Sequence, residues 1–269
     1  MTILRRKLFV LTLGFAALLA GCASAPAVDP TVKAALAPTG TLRVGVYAGS
    51  PTSLVRDATT GEPVGVAFNL GQALAQQLGV PVQVVEFARL VLVLDALKAG
   101  TVDFTFTNAT EIRARDMDFT DPLIRLELGF LVPPNTSLMQ VAEVDRADVR
   151  VGVAQGSSSQ GSLARVFKSA TIVPAASLAQ AQQMLLRGEL DAFATNKGIL
   201  FEMSEGLPGF RVIEGRWGTE SMAIAIPRGA LWLCPICANS HATCRPAVYC
   251  RRWCARRDYA ARCSPTDHP

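Results

Sequence analysis

Between residues 41 and 228 the chain alternates two hydrophobic periods. Short runs rich in β-branched residues read as strands at Leu42 to Val46, Val80 to Phe87, Val102 to Thr107, Val149 to Val153, Ala170 to Pro174 and Leu190 to Ala194. Helical patterns lie between them. From Phe68, the residues Leu70, Ala73, Leu74 and Leu78 recur at three- and four-residue spacing, and Gly79 stands where a helix C′ glycine belongs. A shorter helix runs through Leu94 and Leu97 and ends at Gly100. In the second half, the loop Gly156-Ser157-Ser158-Ser159 opens a helix with Leu163 and Val166 among its apolar positions. Ser177 with Gln180 makes an S-x-x-Q capping box, starting a helix that turns Ala181, Met184 and Leu185 inward and stops at Gly188. This alternation predicts an α/β fold of parallel sheets with helices on both faces.

The pattern repeats. R-V-G-V-x-x-G-S occurs at Arg43 to Ser50 and again at Arg150 to Ser157. Each copy is followed by G-x-x-D-x-x-x-x-N, first as Gly100, Asp103 and Asn108, then as Gly188, Asp191 and Asn196; Thr107 and Thr195 precede the two Asn. Shared punctuation in the same order predicts two similar α/β lobes around a ligand cleft. Open sheets of this kind bind ligands beyond the carboxyl ends of their strands. Those positions are Tyr47 onward, Asn108, Ser157 onward and Asn196.

The two ends change the picture. Arg5, Arg6 and Lys7 precede an apolar run from Leu8 to Ala20 and then Leu19-Ala20-Gly21-Cys22. The run is short of the roughly 20 residues of a membrane span, and the segment resembles a lipoprotein signal with Cys22 as the acylated residue. The net charge is +4. The signal carries +3, and six Arg against two Asp after residue 229 carry +4, so the body is at −3 and offers no basic face for nucleic acid. Domain boundaries follow: 1–22 signal peptide, 23–40 an Ala/Pro-rich tether, 41–128 lobe 1, 129–220 lobe 2, 221–229 a return crossing, and 230–269 an aberrant tail. That tail holds six of the seven Cys and both His. Three readings of it stand: a zinc site at Cys234, Cys237, His241 and Cys244, a disulfide framework, and a shift of reading frame. The last is favoured, because Arg, Cys, Trp, Pro and His accumulate where apolar periodicity stops. No metal or cofactor is expected in the body.

The stretch from Gly100 and Asp103 through Asn108 and Arg113 to Phe119, Thr120 and Pro122 resembles family 3 extracellular solute-binding proteins of bacterial ABC importers, as does nearly all of 41–228. The resemblance implies the type II periplasmic-binding-protein fold. It also implies a small solute with a carboxylate as ligand, ABC permease subunits as partners, a monomeric state, and a place on the periplasmic face of the envelope. The chain would cross the hinge near Leu128–Val132 and Ser221–Ala225. Arg113 would hold the solute carboxylate with two charge-assisted bonds; a surface Arg paired with Glu111 or Asp116 is the alternative. Ser157 and Ser158 match the family's G-[ST]-[ST] turn, and Ser157 would otherwise be a plain N-cap. Asn108 matches the polar position before the Arg. Tyr47 would stack on the ligand or else cover the core. Asn196 stands where amino-acid binders usually hold the α-ammonium with Asp, and Asn69 also replaces a common Asp. The solute is therefore an amino acid held less conventionally, or a carboxylate without an ammonium. The rival functions are a dehydratase acting on a cyclic carboxylate precursor of aromatic amino acids, for which Glu111 is the nearest acid, and a truncated non-functional product.

Overall fold

The computed structural model describes residues 28–230 and the pair Cys263–Ser264. Cys22, the signal segment and nearly all of the tail, with its zinc, disulfide and reading-frame alternatives, lie outside the described residues.

Lobe 1 opens with helix α1 (Pro30–Leu36), followed by β1 (Leu42–Tyr47), the hairpin strands β2 (Val55–Arg56) and β3 (Pro63–Val64), and α2 (Val66–Leu78). It continues with β4 (Val82–Phe87), α3 (Leu90–Lys98), β5 (Thr105–Asn108) and β6 (Met117–Phe119). A long strand, β7 (Ile124–Val132), leads into lobe 2. That lobe contains β8 (Arg150–Ala154), α4 (Ser158–Val166), β9 (Thr171–Ala175), α5 (Leu178–Leu186), β10 (Ala192–Asn196), α6 (Lys197–Glu205) and β11 (Arg211–Val212). The return strand is β12 (Gly218–Pro227), and β13 (Cys263–Ser264) pairs antiparallel with β7 at Leu126 and Arg125.

The two lobes share one topology. In lobe 1, β4 and β1 are parallel, Val44 of β1 makes an isolated parallel bridge to Phe104 just before β5, and β5 meets β12 antiparallel. In lobe 2, β9, β8 and β10 are parallel and β10 meets β7 antiparallel. The sheets are thus mixed, where alternation alone predicts parallel ones. The fourth strand of each sheet is one end of a crossing strand, so its direction is set by the other lobe. Between the lobes β7 and β12 pair with each other from Ile124–Leu128 to Gly218–Met222, forming a two-stranded hinge.

Period-2 alternation sorts residues to opposite sheet faces. In β10, Phe193 enters one core with Met184, Leu185 and Leu200, while Ala192 and Ala194 enter another with Val151, Val153 and Leu163. Lobe 1 likewise has a core of Val44, Val46, Leu70, Leu74 and Phe104 on one face and Leu97, Val102 and Met117 on the other.

Each copy of the repeat builds the same clasp. The Arg43 backbone N–H and Nε donate to Asp103 Oδ2, both at 2.9 Å, and Nη2 donates to Gly100 O at 2.7 Å. Arg150 treats Asp191 alike, at 2.8 and 2.9 Å, and donates to Gly188 O at 2.6 Å. The Asp N–H returns to the Arg carbonyl in each lobe, at 2.8 and 2.9 Å. The middle glycine is also explained. A Cβ on Gly45 would lie 2.9 Å from Val93 Cγ1, and one on Gly152 2.4 Å from Leu190 Cδ1, so a larger residue would push the strand off its neighbour.

Three local expectations need correction. The tether contains α1, whose Val32 and Leu36 are buried in the lobe 1 core. Asp29 accepts a hydrogen bond from the Thr31 N–H and Pro30 occupies the first turn, a start signal legible in the sequence. Val166 is 67% exposed, because α4 ends there and only Leu163 reaches the core. At Ser177 only half a capping box forms. Its hydroxyl accepts from the Gln180 N–H, but the Gln180 side chain accepts from Ala176 N–H, one residue earlier.

The two clasps differ in burial, and that yields a prediction. Asp103 is 2% exposed and Asp191 33%. Asp103→Ala strands part-buried donors of Arg43 and should cost about 2–4 kcal/mol in denaturant unfolding, against about 1 kcal/mol for Asp191→Ala. Hydrogen bonding from Arg150 lowers the Asp191 pKa. Its contribution is therefore fully present above about pH 4, the unfolded value, and is lost as pH falls through the lower folded value. Asp191→Asn should flatten that acid limb in melts taken from pH 5 to pH 2.

Candidate functional site

The strands end at a cleft of about 630 Å³, counting its open mouth. Lobe 1 contributes the ends of β1, β4 and β5, lobe 2 the ends of β8, β9 and β10, and β12 forms the back wall. All six expected residues, Tyr47, Asn108, Arg113, Ser157, Ser158 and Asn196, line it.

Arg113 begins a single 3₁₀ turn after β5, and its backbone N–H donates to Thr110 Oγ1 at 3.3 Å. The turn folds the side chain back toward the strand end. Nη1 donates to Thr107 Oγ1 at 2.8 Å and to Asn108 O at 3.1 Å. Nη2 is buried and has no hydrogen-bond partner among the described residues. Burial lowers the guanidinium pKa, opposed by the nearby Glu220 and Tyr47. Arg keeps its charge even so. The surface alternative does not hold: Glu111 is exposed, and Asp116 pairs with Lys98 at 2.9 Å.

The lobe 2 side is organised by helix starts. Ser157 caps α4 by accepting from the Gln160 N–H at 3.1 Å, and Asn196 caps α6 by accepting from Ile199 N–H at 3.1 Å. The Ser158 hydroxyl donates to Glu220 Oε1 at 2.6 Å, and Asn196 Nδ2 donates to Glu220 Oε2 at 3.1 Å. Asn196 is thus engaged through both its oxygen and its amide nitrogen. Asn108 Oδ1 accepts from the Ser221 N–H at 3.0 Å, tying β5 to the return strand. Tyr47 packs against the lobe 2 core as well as lining the cleft, and burial raises its phenol pKa. Across the mouth, a Cβ on Gly156 would come 3.0 Å from Val91, so the lobes are in contact there.

Two charged residues of the cleft escape sequence reasoning. Glu220 is 7% exposed and lies on the face of β12 that also carries Met222, Ile224 and Ile226. A carboxylate continuing an apolar alternating face was the available signal. Arg89 stands just beyond β4, at a strand end to which the carboxyl-end rule applies equally. Its Nε is buried without a partner among the described residues. Glu111, expected as the nearest acid, does not line the cleft; Glu220 takes that place.

Comparison with known proteins finds relatives of the same fold. The chain is 22% identical over 205 residues to the glutamine-binding protein of Geobacillus stearothermophilus, covering 75% of this chain and 78% of the relative. The structure of the solute receptor for L-cysteine of Neisseria gonorrhoeae superposes with a TM-score of 0.70 at 23% identity, covering 82% of this chain and 92% of that one. That of an ancestral amino acid-binding protein, a precursor of cyclohexadienyl dehydratase, gives 0.66 at 23% identity over 82% and 98%. The fold is the two-lobed type II periplasmic-binding-protein fold. The model for bacterial extracellular solute-binding proteins, family 3, matches residues 42–198, and with that match over more than half its length the chain belongs to this family.

Proposed function

We propose that this protein is the amino-acid-binding component of an ABC importer, with Arg113 holding the solute carboxylate. The supporting observation is the buried guanidinium edge that opens on the cleft with Nη2 unpartnered. An ionised carboxylate there gains charge-assisted hydrogen bonds of about 1.5–3 kcal/mol each. Micromolar affinity needs about 8 kcal/mol, so two such bonds supply a large share. The relatives named for glutamine, L-cysteine and amino acids in general favour an amino acid over other carboxylates. Ligand-driven closure requires that the solute bind the closed lobes better than the open ones. In this reading the body is lipid-anchored through Cys22 at the periplasmic face of the envelope, acts as a monomer, and delivers its solute to permease subunits.

One observation favours a second reading. Glu220 places a buried carboxyl group in the cleft, which acid–base chemistry on a cyclic carboxylate would need. The first reading expects binding without turnover; conversion of a cyclohexadienyl acid on incubation, followed by the rise in ultraviolet absorbance of its aromatic product, would replace it.

Titration calorimetry across the amino acids tests the binding reading. Arg113→Met should weaken the best ligand by about 100-fold, and Arg113→Lys by about tenfold, since an ammonium lacks the planar fork. Unchanged affinity in Arg113→Met, with an unchanged melt, would remove Arg113 from the site.

A further inference from the structure

Three charged side chains line the cleft, Arg89, Arg113 and Glu220. None of them forms an ion pair among the described residues. Glu220 is buried, yet its two hydrogen bonds come from neutral donors, Ser158 and Asn196. Arg113 retains an unpartnered Nη2 and Arg89 an unpartnered Nε. Arg113 and Glu220 are buried and Arg89 is half-buried, and charges so placed are tolerated when they are paired. The cleft's own groups therefore call for one cation and two anions in the ligand.

That requirement sorts solutes by charge. A neutral zwitterion pairs Glu220 and one Arg, leaving the other Arg uncompensated. A basic amino acid adds a further positive charge to a site already positive by one. A dicarboxylate without an ammonium satisfies both Arg but leaves Glu220 facing no cation. An amino acid with an acidic side chain matches every charge and brings the site to neutrality.

We infer that the cleft selects acidic α-amino acids, with the α-carboxylate on Arg113, the ammonium on Glu220 and the side-chain carboxylate on Arg89. The inference rests on the amino-acid-binding reading and names its substrate class. It also assigns the cation half of the site to the hinge strand, with Asn196 holding the Glu220 carboxylate in place by donating to it.

The test is calorimetry on the full chain with L-glutamate, L-aspartate, L-glutamine, L-arginine and glutarate. One of the two acidic amino acids should bind at least about tenfold more tightly than L-glutamine, L-arginine and glutarate. Arg89→Gln should narrow the preference for L-glutamate over L-glutamine by about tenfold, and Glu220→Gln the preference for L-glutamate over glutarate by a similar factor. Thermal melts accompany each variant, so that a folding defect is read separately. Binding of L-glutamine or L-arginine as tightly as the acidic pair would overturn this inference and leave the amino-acid reading standing. So would an unchanged preference in a folded Arg89→Gln. Absence of binding to every amino acid would overturn both.

Discussion

The Arg–Asp clasp, made once in each lobe, is the constraint on which the site depends. An Arg at the start of the central strand donates through its backbone and its side chain to one Asp, and reaches the carbonyl of the glycine three residues before that Asp. This fixes the entry of the third parallel strand against the first. Because strand lengths are short, fixing one end fixes the other. The carboxyl ends then emerge level with one another, and the loops after them carry Tyr47, Asn108, Ser157 and Asn196 to one cleft. The glycine two residues into the strand serves the same end by letting a neighbouring side chain lie flat against the backbone.

The second constraint is the hinge. β7 and β12 each pair with the other at the crossing and with a different lobe at their far ends. A pair of strands held by ladder hydrogen bonds bends as a unit, so it is the element about which the lobes could turn with their cores still packed. Glu220 lies within that ribbon, opposite Leu126, and is held by two donors from lobe 2. Nearby, Glu127 bridges Lys197 at 2.6 Å and Arg216 at 2.9 Å, joining β7 to the start of α6 and to the approach of β12. Charge is thus concentrated where the lobes articulate. In a cleft closed to water such charges act on a ligand more strongly than they would at a surface.

Much of the fold was legible because its signals are local. Leu70, Leu74 and Leu78 face the core at helical spacing, and Gly79 takes the left-handed conformation at φ 61° that ends α2. Ser157 and Ser177 cap their helices as short polar residues before apolar runs do. The α1 helix was missed although Asp29 and Pro30 announce it, because a stretch of Ala and Pro after an apparent signal reads as a linker. α6 escapes the sequence for a different reason: Asn196 matches a ligand position, while in the fold its side-chain oxygen caps a helix. Arg113 was found from its motif, whereas its burial and its free Nη2 depend on Thr107 and Asn108 folding under it.

By itself the sequence determined the doubled α/β plan, since hydrophobic period, glycine placement and the Arg and Asp of each repeat are all written in neighbouring positions. Tertiary structure alone decided which polar and charged groups share the cleft. Glu220 and Asn196 are 24 residues apart, and Ser158 is 62 residues from Glu220. Arg89 reaches the same cleft from another strand end. Electrostatic pairing acts through space over a few ångströms and carries no sequence period, so no pattern along the chain announces it. Only the crossing of β12 between the lobes brings those groups to one place.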